Sequence, residues 1–560
     1  ADRDGEYYLR QEGKGLLVGA YEKDLRFWAE EGTPQGFGHE LFADDLERIE
    51  DNMMRAIDRV PAVGTAGIKR VINGPMIWSP DANVLFGPVP ELSNYFCCNG
   101  IIPGFSQSGG MGLMAAQWMI EGETQYDMFG WDVARFDTWA DKAFTKARVE
   151  DSYAHRFAIH FPNEERAAGR PARMRPAYAK QAELGGVFGL NAGWEHPLWY
   201  SGEAGTVDTN GFTRQNWWGP VGDECKMLRD RAGIIDISNF AKYFCKGPDA
   251  ADWLNAVFAN NMPKAVGRSC LTPLIGVRGG IAGDFTVTKL AEDEFWIIGS
   301  GMAERYHKRF FKEVQLPAGT IFESRTEAVC GFNIAGPKSR EMLQRMTNAS
   351  LATEDFPFMR SKSIELAGVE VLALRVSFTG DLGWELHCAE ADQAQLYEAL
   401  LEVGKDFGAG PVGSRALMSL RIEKGYGSWS REYSPEYFPQ EVGLDRFCKM
   451  EKVFLNKRAV QKTLGEEARE QLVLLHLNEA DVTASNADAT GGEPIFKDGI
   501  GIGRVTSGSY GYSVDMSLAL GFVKNAQAGD EVEVMVLGQP HRATILSEPP
   551  FDPKGTKLRS

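Results

Sequence analysis

The sequence predicts a mixed α+β protein of several domains that ends in a small β-barrel. Its 560 residues correspond to roughly three to four domains. Residues 220–460 carry pairs of short alternating strands separated by amphipathic helical segments. Residues 470–548 continue as strand after strand with glycine turns between them, a pattern typical of a small closed barrel. Together these observations favour a multidomain α+β fold over a single repeated unit.

Each element is assigned in chain order from hydrophobic periodicity and turn residues. The first part is predicted to contain a hairpin at 6–19, a helix from 44 or 45 to 60, a strand at 66–73, a glycine-rich loop at 100–110 and a helix at about 112–120. Residues 125–215 show little periodicity and are predicted to have few regular elements. The later part is predicted to contain hairpins at 284–299 and 369–387 and helices near 392–404 and 414–424. The resulting domains are 1–125, 126–218, 219–462 and 463–560.

Composition excludes several functional classes. Lys and Arg number 60 against 77 Asp and Glu, and the net charge of −17 makes nucleic acid an unfavourable partner. No apolar run reaches about 18 residues, so we expect no insertion into a membrane. The eight cysteines form no CxxC pair and the eight histidines are scattered, so we expect reduced thiols and no metal site. A cytoplasmic or mitochondrial matrix location fits reduced thiols.

The glycine-rich loop is the first candidate site. It contains Gly104, Phe105, Ser106, Gln107, Gly109 and Gly110 and precedes a predicted helix. Glycines let a ligand approach the backbone, and a helix N-terminus offers unpaired N–H groups to an anion. The alternative is a plain turn, because glycines are common where a helix starts.

Four other positions carry side chains suited to chemistry. Strand alternation lets Tyr8 line a polar cavity, although it could equally be a half-buried strand residue. Asp284 follows a glycine-rich turn, where a carboxylate suits proton transfer, or else caps the strand. Glu385 alternates with Trp384 and Leu386, so it is either solvated or a buried acceptor. Arg421 lies on a helix, where a surface ion pair competes with binding a ligand carboxylate.

The order of several motifs along the chain is more specific than any one of them. The motifs lie at residues 5–12, 34–38, 73–75, 79–81, 165–171, 193–197, 378–386 and 506–510. From residue 6 to about 548, this arrangement resembles the dimethylglycine and sarcosine dehydrogenase family. The resemblance covers nearly the whole chain, and the dimethylglycine members look closer, chiefly through residues 73–75 and 507–510.

The resemblance implies an enzyme with two active parts. A glycine-oxidase-like FAD domain would oxidise an N-methyl group, with residues 1–125 as its latter portion. A module similar to the T-protein of the glycine cleavage system would bind tetrahydrofolate and capture the one-carbon unit. The family's Rossmann fingerprint and its FAD-tethering histidine are expected upstream of this chain. The loop at 104–112 would reach the flavin.

The resemblance also implies roles for individual residues. Ser106 stands where some relatives carry a basic residue that binds the substrate carboxylate, so that carboxylate is expected to be bound elsewhere, by Arg10 or outside this chain. Asp284 matches an acidic residue near the transferred carbon, and Glu385 matches a carboxylate that binds the pterin N–H groups. Arg421 matches an arginine at the glutamate tail of folate, and Tyr510 and Tyr512 would line the pocket.

The resemblance therefore implies FAD-dependent oxidation of dimethylglycine, sarcosine or a related N-methylated amino acid, with Tyr8 and Asp284 as catalytic residues. The carbon unit would pass to tetrahydrofolate. The electron acceptor would be electron-transfer flavoprotein or oxygen, and a homo-oligomer is kept open. Two alternatives remain: a folate-dependent aminomethyl- or methyltransferase without flavin activity, and a non-catalytic relative similar to the pyruvate dehydrogenase phosphatase regulatory subunit.

Overall fold

The structure is a computed structural model that describes residues 1–102 and 104–560. Residue 103, within the predicted glycine-rich loop, lies outside the described residues. The chain consists of an N-terminal part, a connecting part, a central part of two antiparallel-dominated sheets and a C-terminal closed barrel. The predicted fold class, mixed α and β elements in several domains with a terminal barrel, is confirmed.

Among the described residues, the N-terminal part contains two separate hairpins and three α-helices. Its elements are β1 (Tyr7–Glu12), β2 (Gly15–Ala20), α1 (Glu50–Arg59), α2 (Ala62–Thr65), β3 (Leu85–Pro88), β4 (Phe96–Asn99) and α3 (Gly104–Glu121). The predicted first hairpin is confirmed, and Gly13 takes the positive φ that its tight turn requires. The strand predicted at 66–73 is wrong. Its isoleucines, Ile68 and Ile72, are exposed and have no partner strand in the described chain. Their preference for β-strands therefore does not produce a strand here.

Helix α3 replaces most of the loop predicted at 100–110, which is a correction. It begins at Gly104 in the described chain rather than near Gly112. One face of the helix buries Met111 and Met114 against an aromatic cluster that includes Phe86. This burial offsets the intrinsic cost of the helical glycines, which is about 1 kcal/mol each relative to alanine.

The connecting part holds more regular structure than the sequence predicted. Its elements are α4 (Lys142–Ala154), α5 (Tyr178–Glu183), β5 (Gly186–Asn191) and β6 (Trp194–Tyr200). Asp141 caps α4 by accepting a hydrogen bond from the Phe144 backbone N–H at 2.8 Å. Arg156, just after α4, packs on the Tyr21 ring and donates to the Tyr21 carbonyl, which joins this part to the first hairpin.

The central part contains two sheets that position the candidate site. Its elements are α6 (Trp218–Asp230), β7 (Gly233–Asp236), β8 (Ala241–Lys246), α7 (Ala250–Val257), β9 (Ser269–Ile275), β10 (Ile281–Ala291), β11 (Glu294–Gly299), α8 (Glu304–Glu313), β12 (Ile321–Ser324), β13 (Val329–Ala335), α9 (Ser339–Gln344), β14 (Ser361–Leu366), β15 (Val369–Leu374), β16 (Gly383–Ala389), α10 (Gln393–Lys405), β17 (Gly410–Val412), α11 (Ser414–Glu423) and α12 (Lys457–Leu464). The first sheet has the order β12-β8-β11-β10-β9, and the second has the order β14-β15-β16-β13-β7-β17. Both predicted hairpins and both predicted helices are confirmed.

Each sheet buries one face in its own hydrophobic core. In the first sheet, Phe285 and Val287 point into a core shared with α7 and α8. In the second sheet, Trp384 and Leu386 point into a core shared with α9 and α10. Because side chains alternate along a strand, the residues between them lie on the opposite faces. Those opposite faces meet where the rings of Trp296 and His387 lie 6.0 Å apart.

The C-terminal barrel is closed, as predicted. Its elements are β18 (Gln471–Leu477), α13 (Glu479–Ser485), β19 (Pro494–Lys497), β20 (Ile500–Gly511), β21 (Met516–Val523), β22 (Glu531–Val536), β23 (Gln539–Ile545) and, beyond the barrel, α14 (Thr556–Arg559). The strands close in the order β18-β21-β20-β19-β22-β23. Alternate side chains such as Val505, Val532 and Val534 fill the interior, so the barrel is a packed core.

Candidate functional site

The candidate site is the pair of facing sheet surfaces that the two hydrophobic cores leave uncovered. Asp284, Thr286 and Trp296 belong to the first sheet, and Glu385 and His387 belong to the second. Strand alternation places each set on one face, opposite the core residues. The structure therefore brings the two folate-side carboxylates of the sequence analysis onto surfaces that face each other.

Asp284 lies near the start of β10, directly opposite Pro273 of β9. A β-bulge precedes it, where the register shifts between Ile281 and Gly283. Burial raises the pKa of Asp284 to about 6. The Tyr433 hydroxyl is close enough for the Asp284 charge to help raise the pKa of that tyrosine, in addition to the larger effect of burial. A carboxyl group with a pKa near neutrality is suited to accept or release a proton.

Glu385 is a partly accessible carboxylate in an otherwise buried strand. Its side chain is 20% exposed, whereas the His387 side chain two residues later is 1% exposed. Glu385 Oε2 lies 3.6 Å from His387 Nε2. Asn333 stands directly opposite Glu385 on β13 and is buried. The sequence analysis left open that Glu385 is fully solvated. The structure argues against this, because the neighbours of Glu385 on the same face are buried.

Arg421 forms a buried ion pair rather than a surface one. Its side chain is fully buried, and Nη1 donates to Glu432 Oε2 at 2.8 Å while Nη2 donates to the Ser507 hydroxyl at 2.7 Å. The guanidinium thus binds groups of the protein itself. Burial excludes the surface ion pair, and the contact of Arg421 to the glutamate tail of folate stays a prediction. Arg421 instead joins α11, the segment 426–433 and barrel strand β20.

Tyr510 and Tyr512 pack in an aromatic cluster away from the two carboxylates. Their rings lie 5.2 Å apart, and both contact Trp218 at the start of α6. Arg214 stacks on Trp218 and Tyr510. Tyr512 is buried in a core formed by α6, α11, β7 and β17. Their role in lining a ligand pocket stays a prediction.

Tyr8 and Arg10 lie on the surface of the first hairpin. Tyr8 is 40% exposed, and its ring covers Gly19 on the paired strand, where a Cβ would fall 2.0 Å from it. Arg10 forms an exposed ion pair with Glu12 at 2.8 Å. Neither side chain is enclosed by the described residues, and their catalytic and substrate-binding roles stay predictions.

The glycines of α3 face open space. Ideal Cβ atoms placed on Gly104, Gly109 and Gly110 meet nothing within 4 Å in the part of the chain that the structure describes. Phe105 is fully exposed beside them, and Ser106 is exposed as well. Gln107 points inward, and its Oε1 is buried without a hydrogen-bond partner among the described residues. Gly109 and Gly110 lie within the helix rather than in a loop before it, which corrects the loop interpretation.

Four residues on the facing surfaces or near Asp284 were missed by the sequence analysis. They are Asn333, His387, Trp296 and Tyr433. His387 could have been identified from the sequence, because it follows Glu385 by two residues and therefore lies on the same face of the strand. Asn333, Trp296 and Tyr433 come from other strands and loops, and their proximity depends on strand order.

The family models divide the chain into four matched segments. Residues 1–118 match the FAD dependent oxidoreductase model, and residues 121–174 match the FAD dependent oxidoreductase central domain. Residues 177–452 match the GCVT N-terminal domain, and residues 471–552 match the glycine cleavage T-protein C-terminal barrel domain. The described helices include none that is long and apolar enough to cross a membrane. Among the same residues, the structure has no group of three or more metal-ligating side chains placed to hold a metal ion.

Curated relatives match along the whole chain. Dimethylglycine dehydrogenase of Mus musculus, named as mitochondrial, is 36% identical over 98% of this chain. The 4-methylaminobutanoate oxidase (formaldehyde-forming) of Paenarthrobacter nicotinovorans is 32% identical over 100% of this chain and 68% of its own length. The chain belongs to the dimethylglycine and sarcosine dehydrogenase family. Sarcosine dehydrogenase of Homo sapiens, also named as mitochondrial, is 30% identical over 100% of this chain. The family resemblance stated from the motifs is confirmed.

The chain spans 64% of the length of the mouse dimethylglycine dehydrogenase. A solved structure, the glycine cleavage system aminomethyltransferase T from Bartonella henselae, matches 68% of this chain and 98% of its own with a TM-score of 0.59. At 23% identity, this likeness shows the fold of the central and barrel parts. In this member of the dehydrogenase family, that fold carries Asp284 and Glu385.

Proposed function

We propose that this chain is part of an enzyme that oxidises an N-methyl group of a small amino acid, dimethylglycine or sarcosine, and transfers the carbon unit to tetrahydrofolate. The product of transfer is 5,10-methylenetetrahydrofolate. In the absence of folate, water would release the same carbon as formaldehyde. The family membership supports this activity, and the dimethylglycine dehydrogenases among the relatives favour dimethylglycine as the substrate.

The observation that carries the folate half of the proposal is the position of Glu385. It is a partly accessible carboxylate on a sheet face where Asn333 and His387 are buried. Asn333 Oδ1 and both ring nitrogens of His387 lack hydrogen-bond partners among the described residues. Buried polar atoms without partners are costly, at about 1–3 kcal/mol each, and are rare in native structures. A ring system with several N–H groups and acceptors, such as a pterin, would satisfy them.

Asp284 lies on the surface of the first sheet that faces the second sheet. Burial raises its pKa to about 6, so it can take a proton from an amine near neutral pH. Its matched position in the family and its place on the first sheet's facing surface support a role in orienting or deprotonating the amine that captures the carbon. The charge of Asp284 acts on Tyr433, which directly follows Glu432, the partner of Arg421.

The residues of α3 fit an approach by FAD. Their glycines leave a side of the helix on which no described atom occupies the Cβ positions, and Gln107 Oε1 is an unpartnered buried acceptor. FAD, when bound, supplies the hydride acceptor for amine oxidation. Gly109 and Gly110 would allow close approach to the helix, and the N–H groups of the first turn would favour a negatively charged part of the cofactor.

The proposal extends to the remaining partners. We propose electron-transfer flavoprotein or oxygen as the electron acceptor and a homo-oligomer as the assembled form. For location, the mitochondrial names of the mammalian relatives support the matrix; in a bacterium, the corresponding location is the cytoplasm. Tyr8 and Arg10 are proposed to contact the amino acid substrate.

Titration calorimetry with tetrahydrofolate tests the proposal. Each charge-assisted hydrogen bond that a carboxylate accepts is worth about 1.5–3 kcal/mol, so Glu385→Ala should weaken binding at least about tenfold. The affinity of Glu385→Gln for tetrahydrofolate should fall between those of wild type and Glu385→Ala, since glutamine keeps one acceptor and loses the charge. Glu370→Ala is the matched control, because Glu370 is an exposed glutamate on the neighbouring strand β15. Unchanged affinity in Glu385→Ala would contradict the folate site.

Flavin content separates the proposed enzyme from a flavin-free transferase. We expect flavin absorbance to co-purify with the assembled enzyme and to bleach when dimethylglycine is added without oxygen. A protein that binds tetrahydrofolate but never carries flavin would instead support the transferase alternative.

A further inference from the structure

His387 is a buried histidine whose hydrogen-bonding capacity is unused. Its exposed fraction is 3%, and neither Nδ1 nor Nε2 has a hydrogen-bond partner within the described chain. A neutral imidazole always presents one N–H donor and one acceptor. Leaving both unsatisfied in a buried place is unfavourable, and each such group calls for an explanation such as a bound ligand.

The ring is confined on two sides. A Cβ atom at Gly331 would lie 3.0 Å from His387 Nδ1, so the ring rests against the β13 backbone there. On the facing sheet, the Trp296 ring lies 6.0 Å away. The third neighbour is Glu385, whose Oε2 is 3.6 Å from Nε2, just beyond hydrogen-bonding distance. A small movement of the glutamate side chain would close this bond without moving the histidine.

The charge state of His387 suits donation to Glu385. Burial lowers its pKa, Glu385 opposes that shift and Lys242 on the facing sheet adds to it. The ring is therefore neutral at physiological pH. With Nδ1 against the backbone at Gly331, Nε2 is the nitrogen that faces the carboxylate and can carry the hydrogen.

Two further unpartnered atoms lie on the same surfaces. Asn333 Oδ1 is buried without a partner in the described residues, and Asn333 stands directly opposite Glu385. Trp296 Nε1 is likewise buried and unpartnered there. Three residues of the two facing surfaces, His387, Asn333 and Trp296, thus carry buried polar atoms without partners among the described residues.

We propose that His387 is a positioning residue for Glu385: when a ligand enters, its Nε2–H donates to Glu385 Oε2 and holds the carboxylate edge toward the ligand N–H groups. This inference rests on the proposed folate function. It predicts that the affinity supplied by Glu385 depends on a donor at the Nε2 position of residue 387, and that the histidine has little effect when the carboxylate is absent.

Three substitutions at residue 387 test the donor. The Gln side chain can place an amide N–H near the former Nε2, whereas Asn reaches only the former Nδ1 and Leu donates nothing. In calorimetric titration of the chain with tetrahydrofolate, His387→Leu and His387→Asn should weaken binding about tenfold, equal to about 1.4 kcal/mol. His387→Gln should stay within about threefold of wild type. If His387→Leu fails to fold, the contrast between Gln and Asn carries the test.

A double-mutant cycle separates positioning from packing. In the Glu385→Ala background, His387→Leu should change affinity by less than about twofold, because the carboxylate it positions is gone. His541→Leu is the control, since His541 is also buried but already bonded to Ser485 and the Gln539 carbonyl in the distant barrel. It should lower stability and leave tetrahydrofolate affinity unchanged.

The outcomes are distinguishable from those of the proposed function. Wild-type affinity in His387→Leu, equal losses in Gln and Asn, or full additivity with Glu385→Ala would each overturn the positioning role while the folate site stands. Unchanged affinity in Glu385→Ala alone would overturn the folate site itself, and the positioning role with it.

Discussion

Arg421 and Glu432 form an ion pair in which both side chains are fully buried, with Nη1 2.8 Å from Oε2. Ser507 and Thr506 of the barrel also donate hydroxyl hydrogen bonds to Glu432. Burial alone would raise the pKa of Glu432, but Arg421 and the hydroxyl donors hold it below its usual value. The pair is therefore ionised, and it connects the barrel to the segment beside Asp284.

We expect Arg421→Met to destabilise the protein by about 3–5 kcal/mol, because it leaves the Glu432 charge buried without its partner. Arg421→Met combined with Glu432→Leu should recover much of that loss, since no buried charge remains. Thermal unfolding followed by circular dichroism measures both. Arg345→Met is the control, because Arg345 pairs with Asp406 on the surface and should cost less than about 1 kcal/mol. Equal losses of unfolding free energy in Arg421→Met and Arg345→Met would contradict this account.

Asp284→Asn is expected to change the fate of the carbon unit. The amide cannot accept the amine proton, so capture of the carbon unit by tetrahydrofolate should slow. A larger share of the carbon unit is then hydrolysed to formaldehyde. In the flavin-loaded enzyme, the ratio of free formaldehyde to methylenetetrahydrofolate should rise while the rate of flavin reduction stays near that of wild type. Asp498→Asn, in an exposed turn, is the control. A product ratio equal to wild type would remove Asp284 from the transfer step.

Asp284 should also make stability depend on pH. Burial raises its pKa to about 6 from the ordinary 3.8, so the folded state favours the neutral carboxyl. That contribution is fully present below about pH 4 and is lost as the pH rises through 6. Asp284→Asn stays neutral, so its stability relative to wild type should increase between pH 4 and pH 8 by up to about 3 kcal/mol. Melting temperatures across this range measure the difference; a constant offset would show that the aspartate ionises freely.

Gly109→Ala and Gly110→Ala separate a ligand role from a folding role. No described atom lies within 4 Å of an added Cβ at either position, and alanine favours a helix over glycine by about 0.5–1 kcal/mol, so each variant should be slightly more stable. If FAD contacts this side of α3, the same variants should lose flavin more readily from the assembled enzyme. Met119→Ala, exposed near the other end of α3, is the control. Retained flavin together with higher stability would place the cofactor elsewhere.

The sequence predicted those elements whose evidence is local. The hairpin at β10 and β11, the helices α10 and α11 and the terminal barrel follow from alternation, helical periodicity and turn glycines, which act between near neighbours in the chain. The prediction was wrong at 66–73, where β-branched residues meet no partner strand, and at Gly104, where burial of Met111 and Met114 extends a helix through glycines.

The sequence by itself determined that Asp284 and Glu385 alternate with core residues, since that depends only on the two-residue period of a strand. The tertiary structure decided what surrounds them, because strand order and sheet packing are set by burial of distant side chains. It placed Asn333 opposite Glu385 and Trp296 against His387. It also buried Arg421 with Glu432, which the helix around Arg421 alone does not specify, since the carboxylate comes from a loop 11 residues later.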